Sequence, residues 1–108
     1  MTDFKNITKM VRSILEYDTK ARNSDSYLYL KVIENVGMQK NMYVNNVPIS
    51  IFLQNMSEWG FPPFESVRRT RQKIQACFPE LTADEKVQEG RAFNEEEYRR
   101  LAKGEYLL

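Results

Sequence analysis

The sequence predicts an all-α fold: a small bundle of about five helices with a helix-turn-helix-like pair at 49–59 and 63–78. Three observations support this fold class. Apolar residues recur at helical spacing in successive segments. Polar residues, glycines and prolines of the kind that begin and end helices separate those segments. The stretch from Trp59 to Pro79 joins a short helix, a broken turn and a basic helix, which is the layout of a motif that reads DNA.

Charge divides the chain into two parts. The 108 residues suit one domain, and 42% apolar with 29% charged residues is typical of a globular chain. Residues 1–79 hold 11 Lys and Arg against 7 Asp and Glu, a net +4, whereas residues 80–108 hold 5 against 8, a net −3. We therefore expect a basic helical core domain at 1–79 and an acidic helical extension at 80–108, either packed on the core or projecting from it.

The absent residue types exclude several functions. The chain has no histidine and one cysteine, Cys77, which excludes His-based acid–base catalysis, Cys–His nucleophiles, ordinary zinc sites and an internal disulfide. We expect a protein that is not an enzyme and uses no cofactor, metal or small-molecule substrate. No apolar run reaches the roughly 20 residues of a membrane span, and basic residues interrupt the N-terminus, so we expect an intracellular protein without a membrane partner.

The first two predicted helices belong to a core formed by helices one to four. Thr2 or Asp3 can cap the first helix, and its apolar face has spacings of three and one. That face consists of Phe4, Ile7, Met10, Val11, Ile14 and Leu15. After a polar connection, Asn23 or Ser24 can cap a second helix that ends at Gly37. The second helix is apolar around most of its circumference, which favours a central position.

Prolines and glycines delimit the predicted pair. Residues 38–47 can form a loop or hold a short strand around Met42 to Val44, and we expect a loop. Pro48 suits the first turn of the helix at 49–59. Pro62 and Pro63 are excluded from a helix interior, so the next helix begins at Pro63 and ends near Phe78. Beyond it, the capping box Thr82-x-x-Glu85 predicts a short helix ending at Gly90. A last helix is predicted from Asn94 to Gly104, with anions first and cations last.

The basic helix is the leading candidate site, because arginine, lysine and glutamine on a helix can contact phosphates and base edges in duplex DNA. We expect one face to be directed at the duplex, formed by Arg68, Arg69, Gln72, Lys73 and Gln75. The alternative is a solvated face on which Glu65 pairs with the arginines one turn later. Arg71 lies on the flank of the apolar stripe, so we expect a carboxylate or carbonyl inside the fold to bind it.

The turn fits the DNA-binding motif incompletely. The usual motif places its glycine six residues before an apolar anchor, whereas Gly60 lies seven residues before Val67.

Four aromatic residues near the turn are expected in the core rather than stacked on bases. These are Trp59, Phe61, Phe64 and Phe78. Cys77 is expected to be a small buried hydrophobic residue.

The acidic C-terminal helix supports an alternative function. It can fold back on the basic core and cover a DNA-binding groove, or it can bind a host protein such as a nuclease and mimic a polyanion. The remaining alternative is a solvated helix that simply completes the bundle. The candidate partner-binding residues are Glu95, Glu96, Tyr98 and Arg99. A metal site is not expected there, because consecutive helical residues point about 100° apart and do not converge on one ion. A homodimer also remains open.

Several segments resemble a known group of proteins. The chain resembles small uncharacterised proteins of phages and prophages of Gram-positive bacteria. The resemblance lies in residues 22–25, the core PPFESVRRTRQKIQ at 62–75, Pro79-Glu80-Leu81 and Asn94-Glu95. The similarity covers most of residues 20 to 103 and implies a phage origin and a compact helical fold. The resemblance brings no established activity and no assigned site residues. In a phage, a small basic helical protein is most often a transcriptional or replication accessory factor, and next most often an inhibitor of a host system such as a nuclease.

Overall fold

The computed structural model describes residues 4–102, with side chains described for residues 6–97, and it confirms the all-α prediction. The six helices are α1 (Phe4–Tyr17), α2 (Thr19–Asn23), α3 (Asp25–Gln39), α4 (Ile49–Asn55), α5 (Phe64–Cys77) and α6 (Glu85–Ala102). Two short 3₁₀ turns, Val44–Asn46 and Pro79–Leu81, lie in the connections. Within residues 4–102 there is no β-strand.

Helices α1, α3 and α5 pack together at the centre of the protein. Their buried faces follow the helical spacing of the apolar residues, as predicted. The fully buried side chains are Val11, Leu15, Leu28, Val32 and Val67. Burial of an aliphatic side chain of this size stabilises the fold by roughly 1.5–3 kcal/mol, so this shared core holds the three helices in fixed positions.

The connection between α1 and α3 contains a helix that was not predicted. Residues 18–26 were expected to be a polar connection, but α2 occupies Thr19–Asn23, and Asp18 accepts a hydrogen bond from the Lys20 amide at its start. Ser24 then caps α3 by accepting a hydrogen bond from the Tyr27 amide, as one of the two predicted caps. The small buried Ala21 allows this extra turn to pack against the bundle.

Gly37 does not end α3, which continues to Gln39. It is buried, and a Cβ added there would lie 2.7 Å from the Met42 carbonyl oxygen and 2.9 Å from Val44 Cγ1. The glycine is needed because the following chain folds back against it. That chain, residues 40–48, has no regular structure apart from the 3₁₀ turn at Val44–Asn46. The loop predicted at 38–47 is therefore confirmed for residues 40–47, whereas residues 38 and 39 belong to α3.

The predicted pair at 49–59 and 63–78 is present, with a shorter first helix. Helix α4 ends at Asn55, and turns follow as far as Gly60, where φ is +83°. Both ends of α5 lie within one residue of the predicted ends. The main helical neighbours of α5 are α1 and α3. Helix α4 is joined to the turn before α5 by edge-to-face packing of Phe52 on Phe61, with ring centroids 5.0 Å apart.

Three predictions for the end of α5 and the region after it were wrong. Instead of two helices, one helix, α6, runs through both Gly90 and Asn94. The predicted cap Thr82 does not begin a helix, since its hydroxyl donates to the Pro79 carbonyl. Cys77 is exposed rather than buried, because it lies on the outer side of the last turn of α5. The proposed caps of the first helix, Thr2 and Asp3, lie outside the described residues.

Candidate nucleic-acid interface

Helix α5 has a buried side and an outer face. The buried side consists of Val67, Thr70, Arg71, Ile74 and Gln75. The opposite side, here called the outer face of α5, consists of Glu65, Arg68, Arg69, Gln72 and Lys73. Arg69 leaves 70% of its side chain accessible to solvent, and Lys73 is also exposed. Packing on α1 and α3 fixes which side of the helix is presented outward.

Arg71 lies inside the fold, as predicted. Its side chain is 6% exposed, and its Nε and Nη2 donate to the two carboxylate oxygens of Asp25 at 2.8 and 3.0 Å. This bidentate geometry matches the planar guanidinium to the carboxylate, which is the arrangement in which a buried arginine is best compensated. The pair joins α5 to the first turn of α3.

The prediction that Gln75 faces DNA was wrong. Gln75 is buried, and its Nε2 donates to the carbonyls of Leu81 and Arg22 at 2.9 and 3.2 Å. Its Oε1 accepts a hydrogen bond from Arg71 at 3.4 Å. Because an amide has both donors and an acceptor, Gln75 satisfies polar groups of α2, of the 3₁₀ turn Pro79–Leu81 and of α5 itself.

Arg68 and Arg69 both bind Glu65. Arg68 donates from Nε to Glu65 Oε2 at 3.0 Å and from Nη2 to Oε1, and Arg69 Nε donates to Oε1 at 3.2 Å. The hydrogen bonds from Arg68 are the main cause that lowers the pKa of Glu65 to about 2. The same pairing raises the pKa of Arg68. Two guanidinium groups therefore share one carboxylate, which leaves this turn of α5 with a net positive charge.

Gln72 contacts the acidic helix. Its Nε2 donates to Glu95 Oε1 on α6 at 3.3 Å. Glu95, one of the alternative partner-binding residues, is thus directed at α5, and Glu96 is exposed beside it. The side chains of Tyr98 and Arg99, also proposed for partner binding, lie outside the described side chains. Of the five predicted DNA-facing residues, Arg68, Arg69, Gln72 and Lys73 lie on the outer face.

An open groove of about 860 Å³ lies between α5 and α6. It is lined by Asp25, Phe64, Glu65, Arg68, Arg71, Gln72, Arg91, Asn94 and Glu95. At its base, Arg91 donates to Asp25, Gln75 and the Arg22 carbonyl at distances of 3.3–3.5 Å. Burial lowers the pKa of Arg91, and the nearby Arg71 lowers it further, while Asp25 opposes both. Sequence reasoning missed this arginine because it follows a glycine that was expected to end a helix.

The predicted aromatic core is largely confirmed. Phe61 is buried, and Trp59 and Phe78 pack against the core, with the Arg12 guanidinium 4.1 Å from the Phe78 ring centroid. Phe64 differs, since it is 40% exposed at the edge of the groove. Its ring meets Tyr29 edge to face at 5.3 Å.

Comparisons with known proteins gave no assignment, because no family model, curated protein or solved structure matches this chain. Among the described residues, no helix is long and apolar enough to cross a membrane. In the same part of the chain, acidic side chains and Cys77 form no group of three that would hold a metal ion.

Proposed function

We propose that this protein is a non-enzymatic DNA-binding protein that contacts the phosphates of a duplex through the outer face of α5. The observation that carries this proposal is the placement of Arg68, Arg69 and Lys73 on one outward side of a helix anchored by the core. The resemblance to phage proteins favours an accessory or regulatory role inside the bacterial host cell.

The proposed contact is with the backbone of DNA rather than with its bases. Arginine and lysine pair with phosphate oxygens of any sequence, and this electrostatic attraction supplies most non-specific affinity. Gln75 and Arg71 are bonded within the fold, so two groups able to read base edges are withdrawn from the surface. We therefore propose binding with little sequence preference.

Paired charge-removal variants test the proposal. Arg69→Gln with Lys73→Gln is compared with Lys20→Gln and Lys40→Gln, which removes the same charge from α2 and from the end of α3. In a mobility-shift assay at low salt, the α5 variant should lose at least tenfold in affinity for every duplex tested. The control should lose about threefold or less. Equal losses in the two variants would show that net charge rather than the outer face of α5 determines binding.

A second candidate function is binding to a host protein, as an inhibitor of an enzyme such as a nuclease. A specific observation supports it: Ile49 and Leu53 of α4 are 72% and 60% exposed, one helical turn apart. Adjacent exposed apolar side chains are typical of protein-binding surfaces. This surface differs from the acidic residues that the sequence suggested.

Variants on α4 and α6 distinguish the two protein-binding surfaces. Leu53→Asp should abolish capture of a host enzyme while the neighbouring Gln54→Asp retains it. Deletion of residues 92–108 abolishes capture only if the acidic helix is the contact. Should α4 instead pair two copies of the chain, light scattering will give twice the monomer mass and Leu53→Asp will restore the monomer.

A further inference from the structure

The contact between Gln72 and Glu95 places a carboxylate of α6 against the outer face of α5. Glu95 Oε1 accepts a hydrogen bond from the Gln72 amide at 3.3 Å, and both residues line the groove together with Arg68. A carboxylate oxygen and a phosphate oxygen are both anionic acceptors. Glu95 therefore occupies a position in which a backbone phosphate of DNA would accept the same hydrogen bond.

Over the part of α6 whose side chains are described, residues 85–97, the contacts with the core are mainly polar. Arg91 makes three hydrogen bonds of 3.3–3.5 Å, and Asn23 exchanges two hydrogen bonds with Asp84 just before the helix begins. Its Phe93 is 64% exposed, so this aromatic side chain adds little burial. A helix held in this way separates from its neighbour at a low free-energy cost compared with the helices of the core.

We propose that α6 is an acidic cover that competes with duplex DNA for the side of α5 carrying Gln72 and Arg68. This inference rests on the proposed DNA-binding function and describes its regulation. When DNA binds, a phosphate replaces the Glu95 carboxylate and the later part of α6 moves away from the groove. The free protein is then the covered form, and its affinity for DNA is reduced by the free energy needed to displace Glu95.

The test compares Glu95→Ala with Glu89→Ala. Both remove one negative charge from α6 and introduce the same good helix former, but Glu89 does not line the groove. Glu95→Ala removes one competing charge-assisted hydrogen bond, so its affinity for duplex DNA should be about five times that of Glu89→Ala. Addition of saturating duplex should also accelerate hydrogen exchange in the later part of wild-type α6.

The outcomes separate this inference from the proposed function. If wild type binds duplex and the two alanine variants have equal affinities, α6 is not a cover, whereas DNA binding by α5 stands. Unchanged or slower exchange in α6 on DNA binding would equally contradict its displacement. If neither wild type nor Glu95→Ala binds duplex at low salt, the proposed function fails and the cover fails with it.

Discussion

Arg71 of α5 and Asp25 of α3 form a two-point ion pair inside the fold, with donor–acceptor distances of 2.8 and 3.0 Å. The two residues are 46 positions apart in the sequence. Arg91 and Gln75 complete a polar network around the pair, which joins α3, α5 and α6 beside the groove. This network adds a polar connection between the helices to the apolar packing on α1 and α3 that fixes which side of α5 faces outward.

Loss of either partner of this pair should destabilise the protein. Arg71→Ala leaves the Asp25 carboxylate without its principal donor, and we expect the free energy of unfolding to fall by about 3 kcal/mol. Lys73→Ala on the same helix is exposed and should change it by less than about 0.5 kcal/mol. Urea unfolding followed by circular dichroism measures both. A loss below about 1 kcal/mol for Arg71→Ala would show that the pair does not hold α5 in place.

Gln75 should be a structural residue without a direct role in binding DNA. Gln75→Leu removes the donor to the Leu81 and Arg22 carbonyls, and a buried carbonyl left unsatisfied costs about 1–3 kcal/mol. We expect that loss in the free energy of unfolding, with DNA affinity unchanged at a temperature where the variant is folded. A folded Gln75→Leu variant that has lost most of its DNA affinity would contradict the assignment.

Two glycine substitutions should act in opposite directions. A Cβ at Gly37 meets backbone at 2.7 Å, so Gly37→Ala should lower the free energy of unfolding by about 1–3 kcal/mol. Gly90 has no neighbour within 4 Å of an added Cβ, so Gly90→Ala should stabilise α6 by up to about 1 kcal/mol. Thermal unfolding reports the first change, and hydrogen exchange of the α6 amides reports the second. Similar effects at both positions would contradict the packing described for Gly37.

The pKa of Glu65 should be measurable by its acid titration. Carboxyl NMR signals of Glu65 are expected to titrate near pH 2, and in Arg68→Ala the pKa should rise toward 4.5, because Arg68 is the main cause of the shift. The pKa in the folded protein lies below the unfolded value. Stabilisation by this carboxylate is therefore present above about pH 4.5 and is lost as the pH falls toward 2. An unchanged pKa in Arg68→Ala would rule out that ion pair in solution.

The sequence predicted interactions that are local in the chain better than those that are distant. Helical spacing identified the core of α1, α3 and α5, and the position of Arg71 on the flank of an apolar stripe predicted its inward pairing. Asp25 was not predictable as its partner, because the two meet only after α3 and α5 pack. Gln75 was placed outward because it lies on the arc of the helix that the apolar stripe leaves, yet its amide binds two carbonyls that are distant in the sequence or beyond the helix end.

The C-terminal region was misjudged for a physical reason. A glycine costs a helix only about 1 kcal/mol relative to alanine, so Gly90 need not end one when good helix formers flank it. No local pattern indicated that Arg91 contacts Asp25, and without that contact α6 could not be placed beside α5. The acidic character of the region was correctly read, whereas its proximity to the basic helix depends on these long-range contacts.

The most direct test of DNA binding by the outer face of α5 is the salt dependence of affinity for a random duplex. We expect Arg68, Arg69 and Lys73 to contact about three phosphates. A plot of the logarithm of affinity against the logarithm of salt concentration should then have a slope of about −2 to −3. The slope should become less negative by about 2 in Arg69→Gln with Lys73→Gln. A wild-type slope near zero, or an equal slope in that variant, would contradict the assignment of α5 as the DNA-contacting helix.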